Sequence, residues 1–251
     1  MEKETKVAVQ EETAVSTDVG TPMGFEDEEA GDMVIPRIKV INALSPERKD
    51  KKADEGDVIN SLTLEKLNGR VFIPVFKFNN NILWKDRADG GGIACIARDG
   101  KMGSLQDGSA LLCATCRKCE FDNSKTGKDA APKCTKYINF FGFITGTKMP
   151  IILSFSKTSF AEGKRMYSLA KVTMQNMWNF GYRLDAKLMS KGGNEWYNPA
   201  VEAAGPTDEA DRAFASELYK NFRTDLFKYD MEEAPTSGSS VSTEDVEKSE
   251  F

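Results

Sequence analysis

Histidine is absent from this chain of 251 residues. Its absence excludes Ser-His and Cys-His nucleophile pairs, His-containing metal sites and the commonest general base. The phosphate-binding pattern GxxxxGK[ST] does not occur either. A nuclease could use carboxylates such as Asp86, Asp89, Asp99 and Asp107, but these form no compact acidic motif. We therefore expect a protein that is not an enzyme.

Long apolar segments are also lacking, since no run approaches the roughly 20 residues that a membrane helix needs. The charged first residues, Met1 to Lys6, lead into no apolar stretch and do not read as a secretory signal. Both observations predict a cytoplasmic protein. A reducing cytoplasm disfavours disulfides and makes clustered cysteines candidates for metal binding.

Charge is distributed unevenly along the chain. Residues 1–70 carry a net charge of -6, residues 71–190 a net charge of +9, and residues 191–251 a net charge of -8. Such segregation indicates a middle region that binds a polyanion and acidic ends that stay outside the binding surface.

The apolar pattern predicts a mainly β (α+β) fold: an OB-fold-like barrel or an open sheet, with an inserted zinc-binding loop and one or two packing helices. Residues 1–32 and 231–251 are expected to be disordered acidic segments, flanking one β-rich domain at 33–230. The predicted strands are 33–40, 71–78, 82–85, 93–97, 137–146, 150–156, 182–189 and 195–201, with a turn at 79–81. Helices are predicted at 159–175 and from Thr207, where Ala210, Phe214, Leu218, Phe222 and Leu226 form one apolar face.

Five cysteines lie in and around the predicted insertion at about 95–134. CxxC turns let two thiolates converge on a tetrahedral ion. The sequence therefore predicts a structural zinc held by four of the five cysteines, and we favour the set without Cys113, although exchanging Cys113 for Cys119 is nearly as good. Free buried thiols or a redox pair are the alternative. The candidate ligands are Cys95, Cys113, Cys116, Cys119 and Cys134.

Aromatic and basic residues alternate through the middle region. Single strands are bound by cations along the backbone path and by flat rings on which bases stack. Core packing is the simpler explanation for any single ring, but the group as a whole suggests some exposure. The candidate nucleic-acid-binding residues are Lys77, Trp84, Lys85, Arg87, Lys133, Lys136, Tyr137, Phe141, Trp178 and Arg183.

The sequence closes with an acidic segment, Ser242 to Phe251, whose last residue is aromatic. This segment resembles the C-termini of bacterial and bacteriophage single-stranded-DNA-binding proteins. The resemblance implies a tail that recruits replication or recombination partners, through Glu244, Asp245, Glu247, Glu250 and Phe251. A solubilising tail is the alternative. A polyanionic tail can also compete with DNA for a basic groove.

The segments Val34–Lys39, Gly56–Ser61 and Phe72–Pro74, with the cysteine pattern, are similar to those of largely uncharacterised bacteriophage proteins. Together these features predict a phage protein that binds single-stranded DNA, largely independently of sequence, during replication or recombination in the host cytoplasm. A homodimer is compatible with the sequence. The alternative is a zinc-bearing interaction or transcription-modulating protein that acts on a host enzyme without binding DNA.

Overall fold

A computed structural model describes residues 34–85, 91–116, 133–224, 226 and 230–231. The acidic segments predicted to be disordered lie outside these residues, apart from Met231. The strands are β1 (Val34–Ile35), β2 (Ile38–Val40), β3 (Val58–Asn60), β4 (Val71–Trp84), β5 (Ile93–Ala97), β6 (Met102–Leu105), β7 (Ala110–Leu112), β8 (Cys134–Ile144), β9 (Pro150–Ser156), β10 (Phe180–Lys191), β11 (Asn194–Pro206) and β12 (Asp230–Met231). The helices are α1 (Pro46–Lys49), α2 (Cys113–Cys116), α3 (Phe160–Val172) and α4 (Glu209–Phe222).

The long strand β4 organises an eight-stranded sheet. One edge of β4 pairs with β8, which in turn pairs with β9. The other edge pairs with β10 at Phe72 and with β5 from Asn81 onward. All these pairings are antiparallel. The short pairs β2–β3 and β1–β12 lie outside this sheet.

A β-bulge near the start of β4 decides which side chains face which way. The register with β8 shifts between Pro74 and Phe76, so Val75 has no partner opposite it. Before the bulge, Phe72 points to one face of the sheet, while Phe76 and Phe78, which would share that face in a regular strand, pack in the core on the other. Lys77 is thereby turned to the first face.

Helices cover the two faces of the sheet. On the face covered by α3, Met166 packs with Phe72, Phe140 and Phe155. We call this the α3 face. On the opposite, α4 face, Leu218 joins a second core cluster. Because both faces are covered, the middle of β8 is buried on both sides, with Phe140, Phe141 and Phe143 all 0% exposed.

The fold class is confirmed as mainly β with packing helices, in its open-sheet form. Within the described ranges the strands do not close into a barrel. The β10–β11 hairpin curls over the α3 face instead, where Leu184 and Val201 join the core. Arg165 of α3 donates a hydrogen bond to the main-chain oxygen of Val201 and pairs with Glu162 at 2.5 Å.

Local patterns predicted most elements, with three corrections. The expected turn at residues 79–81 is the middle of the continuous strand β4, because β8 pairs with it across all three asparagines. Asp208, not Thr207, caps α4 by accepting the Asp211 N–H at 2.7 Å. Ala210 is exposed, but the other four residues of the predicted apolar face pack in the core of the α4 face, together with Ala215.

No helix among the described residues is long and apolar enough to span a membrane.

Candidate nucleic-acid interface

A groove with a volume of about 540 Å³ opens on the α3 face beside α3. Its floor comes from β4 and β8, one wall from α3, and the other from the turn between β5 and β6. The lining residues are Lys77, Asn79, Asn81, Asp99, Gly100, Lys101, Lys136, Tyr137, Ile138, Phe160, Lys164, Tyr167 and Ser168.

Four lysines converge on this groove from four separate parts of the chain. Lys101, Lys136 and Lys164 are exposed, whereas Lys77 is half-buried. Burial lowers the pKa of the Lys77 ammonium below its ordinary value. An anion placed beside it would offset that effect, because opposite charges favour each other's ionised form.

Two aromatic rings on α3 accompany the lysines. The ammonium of Lys77 lies 5.1 Å from the centre of the Tyr167 ring, and that of Lys164 lies 5.2 Å from the centre of the Phe160 ring. Both rings are half-buried, packed on one side against the core of the α3 face. Their positions are therefore fixed, while the lysines can exchange the ring for a phosphate.

Asp99 is the acidic residue of the groove lining, and its carboxylate is hydrogen-bonded within its own turn. Its Oδ1 accepts the N–H groups of Lys101 at 2.7 Å and Met102 at 2.8 Å. Burial opposes ionisation of Asp99, but these backbone hydrogen bonds outweigh it and hold the pKa of the carboxyl below its usual value. The turn so formed presents Lys101 toward the groove.

Asparagine side chains provide hydrogen-bonding groups along the floor. Asn81 donates through Nδ2 to the Gly100 main-chain oxygen at 3.1 Å, which joins β4 to the opposite wall. Asn79 is exposed. Strand alternation places Lys77, Asn79 and Asn81 in a row on the α3 face.

Two of the ten predicted nucleic-acid-binding residues bring exposed or half-exposed cations to the groove, namely Lys77 and Lys136. Lys85 and Lys133 lie at strand ends away from the lining. Trp84 packs against a small cluster around Ile82.

The other predicted residues lie elsewhere or outside the described ranges. Trp178 packs against Tyr219 of α4, with ring centres 5.5 Å apart, on the opposite face of the sheet. Arg183 is exposed on β10. Arg87 lies outside the described residues.

Phe141 and Tyr137 have core roles where exposed stacking surfaces were predicted. The Phe141 ring is 0% exposed and lies 5.0 Å from the Phe76 ring and 5.1 Å from the Phe222 ring, measured between centres. Tyr137 is 6% exposed and packs with Ile82, so it borders the groove through its main chain. Both rings are therefore buried instead of exposed for stacking, Phe141 beneath α4 and Tyr137 in the cluster around Ile82.

Sequence reasoning missed Lys101, Lys164, Phe160 and Tyr167. The last three lie on α3 at positions 160, 164 and 167, which is the i, i+4, i+7 spacing of one helix face. This helix face, with one cation between two rings, can be recognised in the sequence. The sequence does not show that the same face lies beside Lys77, about 80 residues earlier in the chain.

The prediction of a structural zinc is wrong. Across residues 34–85, 91–116 and 133–224, no group of three or more His, Cys, Asp or Glu side chains is placed to hold a metal ion. Cys95 and Cys134 pair with Leu83 from opposite sides of β4, which separates their strands by about 10 Å, two strand spacings. Cys113 and Cys116 belong to α2, and Cys119 lies outside the described residues.

A buried polar network lies on the α4 face behind the groove. Asn139 is 0% exposed and donates to Asn80 Oδ1 at 2.7 Å, while its own Oδ1 accepts from Ser154 at 2.8 Å. Arg37, 2% exposed, donates to Ser154 Oγ at 2.6 Å. Since buried polar groups are costly to leave without partners, this network fixes the relative positions of β4, β8 and β9 beneath the groove.

The five tail residues from Glu244 to Phe251 lie outside the described residues, and their predicted role stays a prediction.

Comparison with known proteins gives one family. A family model described as Pam3 phage gp34-like protein matches residues 3–228, which is most of the sequence. No curated protein and no solved structure matches the chain.

Proposed function

The chain belongs to the Pam3 phage gp34-like protein family, and from that premise we propose that it is a phage protein that binds single-stranded DNA without catalysing a reaction. The observation that carries the proposal is the convergence of Lys77, Lys101, Lys136 and Lys164 with the rings of Phe160 and Tyr167 in one groove. The strand's phosphates would meet the ammonium groups, and its bases would stack on the rings.

The electrostatics of the groove support an anionic ligand. Four cations face one carboxylate, and that carboxylate is occupied by backbone N–H groups. Lys77 is already partly desolvated in the unbound protein, so contact with a phosphate replaces a weak interaction with the Tyr167 ring by an ion pair.

The shape of the groove favours a single strand. Its volume of about 540 Å³ is in the range of small-ligand pockets, so a few nucleotides are held at a time. Bases must be unpaired to stack on side chains that line a groove of this kind. Because phosphates and ring faces are common to all nucleotides, binding is expected to depend little on sequence.

The first test replaces the Tyr167 ring. Tyr167→Leu keeps an apolar side chain against the core but removes the stacking surface, and it is expected to weaken binding of an oligothymidine by about 5- to 150-fold, corresponding to about 1–3 kcal/mol per stacked base. Tyr167→Phe keeps the ring and should bind like the unmodified protein. Fluorescence anisotropy with a labelled oligonucleotide measures both. Equal binding by the Leu and Phe variants would show that bases do not stack on the Tyr167 ring.

The acidic tail provides a second test, because we propose that it competes with DNA for the groove and recruits replication or recombination partners when displaced. Deleting residues 242–251 removes four carboxylate side chains and is expected to tighten DNA binding several-fold at low salt, with the difference vanishing near 0.5 M salt as screening increases. A tail with these carboxylates changed to amides is the matched control and should behave like the deletion. Unchanged affinity at low salt would contradict competition by the tail.

A protein-interaction role without DNA binding is the second candidate, and one surface favours it. At the end of α3, Leu169, Val172 and Met174 are 42%, 80% and 93% exposed. Exposed apolar side chains grouped together are typical of interaction sites. An electrophoretic shift with a single-stranded oligonucleotide separates the two candidates, because this one predicts no shift.

A further inference from the structure

The outer face of the β10–β11 hairpin carries an aromatic ring among cations. Even-numbered residues of β10, such as Leu184 and Ala186, pack toward the core, so Lys187 and Lys191 point outward and are exposed. Trp196 of β11 pairs with Met189, between these two lysines on the same face. Trp196 is not among the residues that the sequence predicts to bind nucleic acid.

The Trp196 ring is held in place by the turn before α3. Its Nε1 donates to Thr158 Oγ1 at 3.3 Å, and Thr158 Oγ1 donates to Asn198 Oδ1 at 3.1 Å. A ring that is already positioned loses little conformational entropy when a base stacks on it. The neighbouring Lys157 is exposed and has a φ of 45°, an unusual conformation for a residue other than glycine.

Charge on the outer half of this face is positive. Lys187 and Lys191 lie on either side of Met189, the residue opposite Trp196, and Lys157 directly precedes Thr158, which accepts a hydrogen bond from the Trp196 ring. Glu195 points to the other side of β11. The carboxylate of Glu162 is engaged by Arg165 at 2.5 Å, and this hydrogen bond, with a smaller contribution from Lys187, holds the pKa of Glu162 below its ordinary value. Toward the base of the hairpin the same face carries the exposed acid Asp185 and the pair of Arg183 and Glu202, so the excess of positive charge is confined to the outer half.

This face is continuous with the groove. The turn Lys157–Ser159 leads directly into α3, whose first residue, Phe160, lines the groove together with Lys164. A strand that leaves the groove at Phe160 meets Lys157 next and then Trp196.

We propose that the outer face of the β10–β11 hairpin is a second contact for the same single strand, with Trp196 as a stacking platform and Lys157, Lys187 and Lys191 on its phosphates. The proposal rests on the proposed function of the groove. It assigns the hairpin a length-dependent role: a short oligonucleotide fills the groove alone, and a longer one reaches Trp196.

The test compares two oligothymidines, of about 5 and about 15 nucleotides, within the range of site sizes known for such folds. Trp196→Ala is expected to weaken binding of the longer one about 5- to 20-fold and to leave the shorter one unchanged. The double variant Lys187→Ala with Lys191→Ala should do the same while keeping the ring. Leu188→Ala, on the opposite face of the same strand and 48% exposed, is the matched control and should change neither.

The outcomes separate the two proposals. If Trp196→Ala and the lysine variant bind the longer oligonucleotide like the unmodified protein, while Tyr167→Leu weakens both lengths, the hairpin proposal is overturned and the groove stands. Equal weakening of both lengths by Trp196→Ala also overturns it, since the effect would then act through the fold. If the unmodified protein binds neither oligonucleotide, the proposed function itself fails.

Discussion

Replacing Lys77, Lys136 and Lys164 together by alanine is expected to weaken binding of single-stranded DNA on the order of 100-fold at about 50 mM salt. This corresponds to about 1 kcal/mol for each contact, a typical net value for one hydrogen bond. Each phosphate contact on a single strand contributes about 0.7 to the slope of log K against log salt concentration. The slope should therefore become shallower by about 2, measured by anisotropy titrations at several salt concentrations.

A matched control removes three exposed lysines outside the groove. Lys49, Lys52 and Lys220 lie on α1, just after it and on α4. Changing these three to alanine alters the net charge by the same amount but should shift the salt slope by much less than 2. If both triple variants lose affinity equally, net charge governs binding and the groove has no special role.

The second large effect concerns the fold beneath the groove. Gly142 of β8 lies opposite Pro74 at the bulge of β4. A Cβ at this position would stand 2.1 Å from the Ile73 main-chain oxygen and 2.7 Å from the Phe72 ring. Because backbone cannot move aside as a flexible side chain can, Gly142→Ala is expected to lower the free energy of unfolding by at least about 3 kcal/mol. Urea denaturation followed by circular dichroism measures the loss.

Gly146→Ala is the control for Gly142→Ala, because it introduces backbone strain at the end of β8 without a steric clash of the new Cβ. Gly146 has a φ of 87° and nothing within 4 Å of its would-be Cβ, so alanine there costs only the left-handed conformation, about 1–2 kcal/mol. If Gly142→Ala lowers the free energy of unfolding no more than Gly146→Ala does, the predicted clash is wrong, and β4 and β8 must be able to move apart at the bulge.

Strands and helices were predictable because their signals are local. Alternation and β-branched or aromatic content identified β5, β8, β9, β10 and β11, and the spacing of apolar residues identified α3 and α4. The asparagines at 79–81 misled, because their turn preference is weaker than the pairing of β4 with β8 on one side and β5 on the other. Glycine lowers helix propensity, but at position 163 of α3 close packing requires it, because a Cβ there would stand 2.8 Å from Phe155 Cβ.

The binding surface was only half predictable. Charge segregation points to residues 71–190, which contain all four lysines of the groove, and Lys77 and Lys136 were among the predicted residues. The rings could not be assigned from β8 alone, since the sequence does not state that α4 covers the face toward which Phe141 points. Cysteine spacing misled for a similar reason: the sequence does not state that β4 runs between the strands that carry Cys95 and Cys134.

Because Val75 has no partner on β8, it determines which face of the sheet every later residue of β4 points toward. If every residue of β4 were paired regularly with β8, the row of Lys77, Asn79 and Asn81 would face α4, and Phe76 and Phe78 would face the groove. Loss of the one extra residue would remove the bulge and leave these faces unchanged, whereas one more paired residue before Lys77 would turn the lysine and both asparagines away from the groove.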